Sequence, residues 1–121
     1  MEARFDLFGS EVMTKFFRKF NGATQVIDES VLPTTLQELV RLRASQINGC
    51  GYCTDMHTKD ATHAGETSVR LNLIAAWREA RVFTDAERAA LVSLIAEINA
   101  WNRLNVIVRQ PAGDYQPGQF G

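Results

Sequence analysis

The chain has only two cysteines in 121 residues, too few for the disulfide framework that usually staples a secreted scaffold of this size. Charge of one sign is not in excess either. Thirteen Lys and Arg against fourteen Asp and Glu leave a net −1, which removes the electrostatic case for nucleic acid or an anionic membrane as partner. No apolar run approaches the roughly 18 residues needed to cross a bilayer. Met1-Glu2-Ala3-Arg4-Phe5 lacks the apolar segment of a signal peptide. Repeats, low-complexity tracts and charge runs are missing, and no stretch alternates over strand length except Val106-Ile107-Val108, which continues a helical pattern. What remains is an ordinary globular composition of 45% hydrophobic and 22% charged residues, enough for one domain that buries about two-thirds of its unfolded surface. The default location is a reducing cytoplasm, where a Cys-x-x-Cys pair suggests catalysis or metal binding.

The periodicity is helical nearly throughout, so the expected class is all-α with about five helices. Val12, Met13, Phe16, Phe17 and Phe20 recur at threes and fours, with Ser10 as N-cap and Asn21-Gly22 as the stop. Residues 23–34 are less regular, and 1–34 read as an N-terminal helix and connection. Thr35-Leu36-Gln37-Glu38 is a capping-box pattern that opens a helix with the stripe Leu36, Leu39, Val40, Arg43, Ile47. Asn48-Gly49 breaks it. A third helix is expected over 50–64, ended by Gly65, and a fourth over 67–81 with Leu71, Ile74 and Trp77 or Arg78 inward. Thr84-Asp85-Ala86-Glu87 is a second capping box, starting a helix with Leu91, Leu94, Ile95, Ile98, Trp101 and Asn105 on its stripe. The core thus spans 35–108, and 109–121 reads as a tail.

Chemistry concentrates in Cys50-Gly51-Tyr52-Cys53-Thr54-Asp55-Met56-His57, with Glu38 twelve residues upstream. On a helix, Cys50, Cys53 and His57 fall within a ~60° arc of one face. The nucleophile of thiol chemistry is the thiolate, which needs a depressed pKa. Cys50 stands at a helix N-terminus, where free N–H groups and the macrodipole favour an anion. His57, one turn beyond Cys53, can take its proton, and Glu38 can hold the imidazole as the third member of a relay. A thiolate oxidised by peroxide to a sulfenic acid is rescued when a second thiol captures it as a disulfide. The helix terminus favours Cys50 as the attacking thiol, whereas proximity to His57 favours Cys53. Cys53 is taken as peroxidatic, with Cys50 resolving.

At these residues the chain resembles the AhpD-like alkylhydroperoxidases of the carboxymuconolactone decarboxylase superfamily. The shared pattern is Glu38, eleven residues, Cys50-x-x-Cys53, three residues, His57. It extends through Leu39–Cys50, Asp55-Met56-His57-Thr58, Trp77-Arg78-Glu79 and Ile98–Leu104. The resemblance implies an all-helical, obligately oligomeric fold, trimeric or hexameric, with Glu38, Cys50, Cys53 and His57 at the active-site positions. It implies peroxidase activity on alkyl hydroperoxides, no bound cofactor, and an external dithiol reductant, often on a lipoylated partner protein. Two departures stand out. Tyr52 replaces a histidine of the founding peroxidase type. Relatives usually carry about thirty more residues, a helical hairpin, between the stretch 84–91 and Ile98. Here the two ends read as one fused helix of ~24 residues, ~36 Å long, whose uncovered apolar faces need burial against another subunit.

Simpler roles compete at each position. The cysteines could be small buried apolar residues, or zinc ligands with His57 and either Glu38 or His63, although no second ligand pair exists in the sequence. His63 lies off the reactive arc and reads as surface. Glu38 at N3 of a capping box would contribute about 1 kcal/mol of helix stability without any catalysis. Phe16, Phe17 and Phe20 read as core or subunit interface, and Trp101, Asn102 and Arg103 as buried anchors or a subunit contact.

Overall fold

The computed structural model describes residues 2–76 and 84–120. Its elements are α1 (Glu11–Asp28), α2 (Thr34–Asn48), α3 (Gly51–His63), α4 (Ser68–Leu73) running into a 3-10 turn (Ile74–Ala76), and α5 (Asp85–Val108). No strand occurs among the described residues, so the class is all-α as expected. Packing is centred on α2, which lies against both α3 and α5; α3 also touches α5, and α1 lies along α5. Leu39 and Leu42 of α2 meet Ile74 and the partly buried Leu71 in the apolar core. None of the described helices is long and apolar enough to cross a membrane. The expected inward Trp77 and Arg78 lie outside the described residues.

Helix α1 begins where the sequence indicates, with Ser10 Oγ accepting the Met13 N–H. It does not stop at Asn21-Gly22 but continues to Asp28. A glycine inside a helix costs about 1 kcal/mol, and tertiary contacts offset it. Trp101 packs on Phe17 and Phe20 at centroid distances of 4.8 and 4.6 Å, and its indole N–H reaches Thr24 Oγ1. Farther along, Ile27 is buried and its carbonyl accepts from the Gln37 side chain. The outer part of the same stripe, Val12 and Phe16, stays exposed.

The second helix departs from expectation in its cap and its facing. It starts at Thr34 with Pro33 in the cap position and no side-chain cap bond, so the Thr35–Glu38 box does not form. Its buried face is Gln37, Glu38, Leu39, Arg41, Leu42 and Ser45, while Ile47 is 63% exposed. This inner face is half polar because those polar groups find partners inside. In α5, Ile95 likewise turns outward, and Glu97, Asn102 and Asn105 turn inward with Leu94 and Ile98. The Thr84–Glu87 capping box is present in both directions.

The C-terminal stretch is not a loose tail. Tyr115 is buried, Phe120 packs on Tyr115 and Phe17, and Lys59 Nζ donates to the carbonyls of Gly113 and Tyr115. The two capping patterns give a direct check. Thr84→Ala should cost about 1 kcal/mol in urea unfolding and Thr35→Ala close to nothing; equal losses would contradict the caps described here.

Candidate active site

The site begins at the break between α2 and α3. Gly49 ends α2 in the left-handed region (φ +68°), a conformation that glycine adopts without Cβ strain. The chain then re-enters a helix with Cys50 at the N-cap, its Sγ accepting the Cys53 N–H at 3.3 Å. Capping by sulfur places Cys50 at the positive end of α3. Cys53 lies one turn inside; both thiols are buried, Cys53 fully and Cys50 at 2% exposure, and both are free.

The two sulfurs are electrostatically unlike. The Cys53 S–H donates to Cys50, and together with the Cys53 backbone N–H and Asn102 this outweighs burial and lowers the Cys50 pKa. Donating to Cys50, being buried, and facing the Cys50 charge all push the Cys53 thiol up, against weaker help from Asn102 and Asn105. Asn105 Nδ2 reaches Cys53 Sγ at 3.5 Å. Asn102 donates to Ser45 Oγ at 3.0 Å and accepts from Asn48 at 3.0 Å. The order of acidity is thus opposite to that expected from the spacing of Cys53 and His57. Cys50 also lines an open groove of about 570 Å³ with Gln46, Gly51, Thr54, Asp55 and Thr58, a lining that Cys53 does not join.

Behind the cysteines runs a buried chain of charge. His57 Nδ1–H donates to Glu38 Oε2 at 2.7 Å, and Arg41 donates to Glu38 Oε1 at 2.9 Å. The same guanidinium reaches Asp28 at 2.9 Å and Glu97 at 3.4 Å. Burial pushes the Glu38 carboxyl up, but His57 and Arg41 together hold it below the usual carboxylate range. At Glu97 burial wins over Arg41 and the value stays raised. Glu38 therefore faces His57 as an anion and fixes the Nδ1–H tautomer. That leaves the buried Nε2, which has no hydrogen-bond partner, as the basic atom. Neither thiol hydrogen-bonds to His57 among the described contacts.

The metal alternative gathers a different set from the one expected. Glu38, His57 and Asp60 offer ligand atoms within 4.8 Å of one another, and neither cysteine joins that group. Arg41 already occupies Glu38, and Tyr115 donates to both Asp60 oxygens, an arrangement suited to moving protons. His63 is exposed. Tyr52 is half-buried, its phenol pushed up to about 12 by burial and by the charges of Cys53, Asp55, Asp60 and Cys50; it stays protonated at neutral pH and able to donate.

The model of the carboxymuconolactone decarboxylase family matches residues 11–95, a stretch that contains Glu38, Cys50, Cys53 and His57. The chain belongs to this family. By sequence the chain is similar to the uncharacterized protein YdfG of Bacillus subtilis (strain 168), 31% identical over 112 residues, covering 64% of this chain and 76% of YdfG. A solved structure of a protein of unknown function from Agrobacterium tumefaciens, described as a candidate antioxidant defence protein AhpD, superposes with a TM-score of 0.80. It is 25% identical and the match covers 94% of this chain and 100% of that one. The fold is AhpD-like.

Sequence reasoning missed Arg41, Glu97 and Asp60 as members of the site, and read Asn102 only as an anchor or contact. A signal for the asparagines was present: Asn99, Asn102 and Asn105 recur at threes inside a helix, where asparagine is a poor former and needs a tertiary reason. Two outcomes follow. A substoichiometric iodoacetamide pulse read by peptide mapping should label Cys50 with a midpoint below the roughly 8.5 of free cysteine, and Cys53 only above it; the opposite order would restore Cys53 as the thiolate. Arg41→Met strands three carboxylates and should cost about 3–5 kcal/mol at pH 7 in urea unfolding. Without the guanidinium the Glu97 carboxyl, already raised by burial, moves further up and Glu38 loses part of what holds it down, so part of that loss should return as pH falls and Glu97 takes up its proton. A pH-independent loss would assign Arg41 a packing role alone.

Proposed function

We propose that this protein is a thiol-dependent peroxidase that reduces organic hydroperoxides through a Cys50/Cys53 dithiol–disulfide cycle, with Glu38 and His57 moving the proton. The observation that carries the reading is the acidified Cys50 sulfur at the edge of an open groove, with a protonated Cys53 thiol bonded behind it. Family membership and the AhpD-like fold support it.

In this reading the Cys50 thiolate attacks the distal oxygen of R–O–O–H. The O–O bond breaks, sulfur becomes S–OH, and the alkoxide leaves and is protonated to the alcohol. Cys53 then gives its proton to His57 Nε2 and attacks the sulfenic sulfur. Hydroxide departs, takes that proton as water, and a disulfide closes. An external dithiol returns two electrons and two protons by exchange. From the family resemblance that reductant is a dithiol of lipoyl type on a partner protein, in a reducing compartment such as the cytoplasm. Attack falls to Cys50 rather than to Cys53, because Cys50 is the more acidic of two buried thiols and the one that lines the groove. The exposed Val12 and Phe16 of α1 and Val106 and Ile107 of α5 suit burial in a homo-oligomer, trimeric or hexameric.

A dithiol–disulfide exchange protein is the second reading. The same asymmetry favours it, since an acidified thiol at a groove with a protonated thiol behind it is also what a disulfide substrate needs. The deciding measurement is a thiol count on reduced, metal-free protein before and after one equivalent of cumene hydroperoxide. Both thiols should disappear rapidly and return with a dithiol. Cys53→Ser should stop at a single sulfenic acid without turnover, and Cys50→Ser should not react. Thiols that persist for minutes, while a small disulfide oxidises them, would hand the site to the exchange reading.

A further inference from the structure

His57 has two carboxylates close to it. Glu38 takes its Nδ1–H. Asp60, three residues on along α3, presents an oxygen that completes with Glu38 and His57 the group whose atoms lie within 4.8 Å. Asp60 is in turn held from the far end of the chain. The Tyr115 hydroxyl donates to both its oxygens, at 2.8 and 3.0 Å. Tyr115 is 5% exposed and its backbone is clamped. Lys59 Nζ donates to the Gly113 and Tyr115 carbonyls at 2.7 and 3.0 Å, and the Gly113 N–H donates to Asp55 at 3.1 Å. A terminal stretch with no task needs no such clamps. This set of contacts fixes one phenol hydroxyl, and the hydroxyl is spent on the carboxylate beside the histidine.

We propose that Asp60, held by the Tyr115 hydroxyl, is a second positioning carboxylate for His57, so that the C-terminal segment completes the proton relay. The inference deepens the dithiol reading above and rests on it. When Cys53 loses its proton to Nε2, the imidazole becomes an imidazolium between two anions. Glu38 stabilises it from α2 and Asp60 from α3. Arg41 of α2, itself paired to Asp28 of α1, opposes that charge, and Glu97 of α5 adds to the stabilisation. Tyr52 and the exposed His63 are the other titratable groups of α3 that face Asp60. Burial and the nearby Glu38 charge push the Asp60 carboxyl up, while the Tyr115 hydrogen bond, His57 and His63 pull it back only in part. Without the hydroxyl, Asp60 protonates at higher pH and its support of His57 is lost sooner.

The test uses the reduced full-length protein and 4,4′-dithiodipyridine in stopped flow, counting released thiopyridone. The Cys50 thiolate attacks the reagent's S–S bond, forming a mixed disulfide and releasing the first thiopyridone. Cys53, on losing its proton to His57, attacks the Cys50 sulfur and expels the second. Tyr115→Phe keeps the buried ring and removes only the hydroxyl. It should leave the first phase unchanged and slow the second about tenfold, the scale of one hydrogen bond to a charge, with the acid limb of the second phase moved to higher pH. Asp60→Asn should slow the second phase at least as much and remove that limb. Second phases within twofold of the parent in both variants, with an unmoved acid limb, overturn the proposal. Equal slowing of both phases also overturns it, because a merely loosened structure would do that. The assay contains no peroxide, so failure of the peroxidase reading shows separately, as a parent protein that completes both phases yet ignores cumene hydroperoxide.

Discussion

A buried guanidinium ringed by carboxylates is the constraint on which the rest of this fold depends. Arg41 cannot shed its charge, so α2 must turn toward groups that answer it: Asp28 from α1, Glu38 from its own previous turn, and Glu97 from α5. That demand rotates α2 away from the facing that hydrophobic periodicity alone suggests and leaves Ile47 in solvent. It also ties three helices to one point. Breaking such a cluster by removing one partner is far more costly than its net contribution suggests, because the remaining charges stay buried. Glu38, the carboxylate bonded to His57, is part of this cluster, so the fold and the candidate site share a residue.

The same logic explains the order of the thiols. Cys50 sits where the backbone of α3 has unpaired N–H groups and where Cys53 itself can donate, so its sulfur is the better anion. Cys53 is enclosed between α3 and α5, with Asn105 on it and Asn102 close by. Asn105 donates to the Cys53 sulfur, and Asn102 donates to Ser45, whose hydroxyl donates to the carbonyl of Arg41. The contrast in acidity between the two thiols arises from their positions relative to one helix terminus.

Much of the architecture was legible because it depends on local rules. Ser10 and Thr84 start helices, Gly49 breaks one, and the Cys-x-x-Cys-xxx-His spacing places its side chains on one face. The errors have a common cause. Asn21-Gly22 was read as a stop, Ile47 and Ile95 as inward and residues 113–121 as loose, each from local propensity. In every case long-range contacts prevailed: Trp101 on α1, Arg41 with its carboxylates, Lys59 and Asp60 on the C-terminal segment.

By itself the sequence determined the helical class, the position of the break before Cys50 and the set Glu38, Cys50, Cys53 and His57, since hydrophobic period, caps and glycine punctuation act over a few residues. Only the tertiary structure decided what those residues do to one another. It took Glu38 out of a capping box and set it between Arg41 and His57, made Cys50 the more acidic thiol, and brought Asp60 near the histidine and Tyr115 to Asp60. The physical reason is that charge and hydrogen bonding in a buried site depend on distance in space, and partners fifty residues apart leave no periodic trace in the chain.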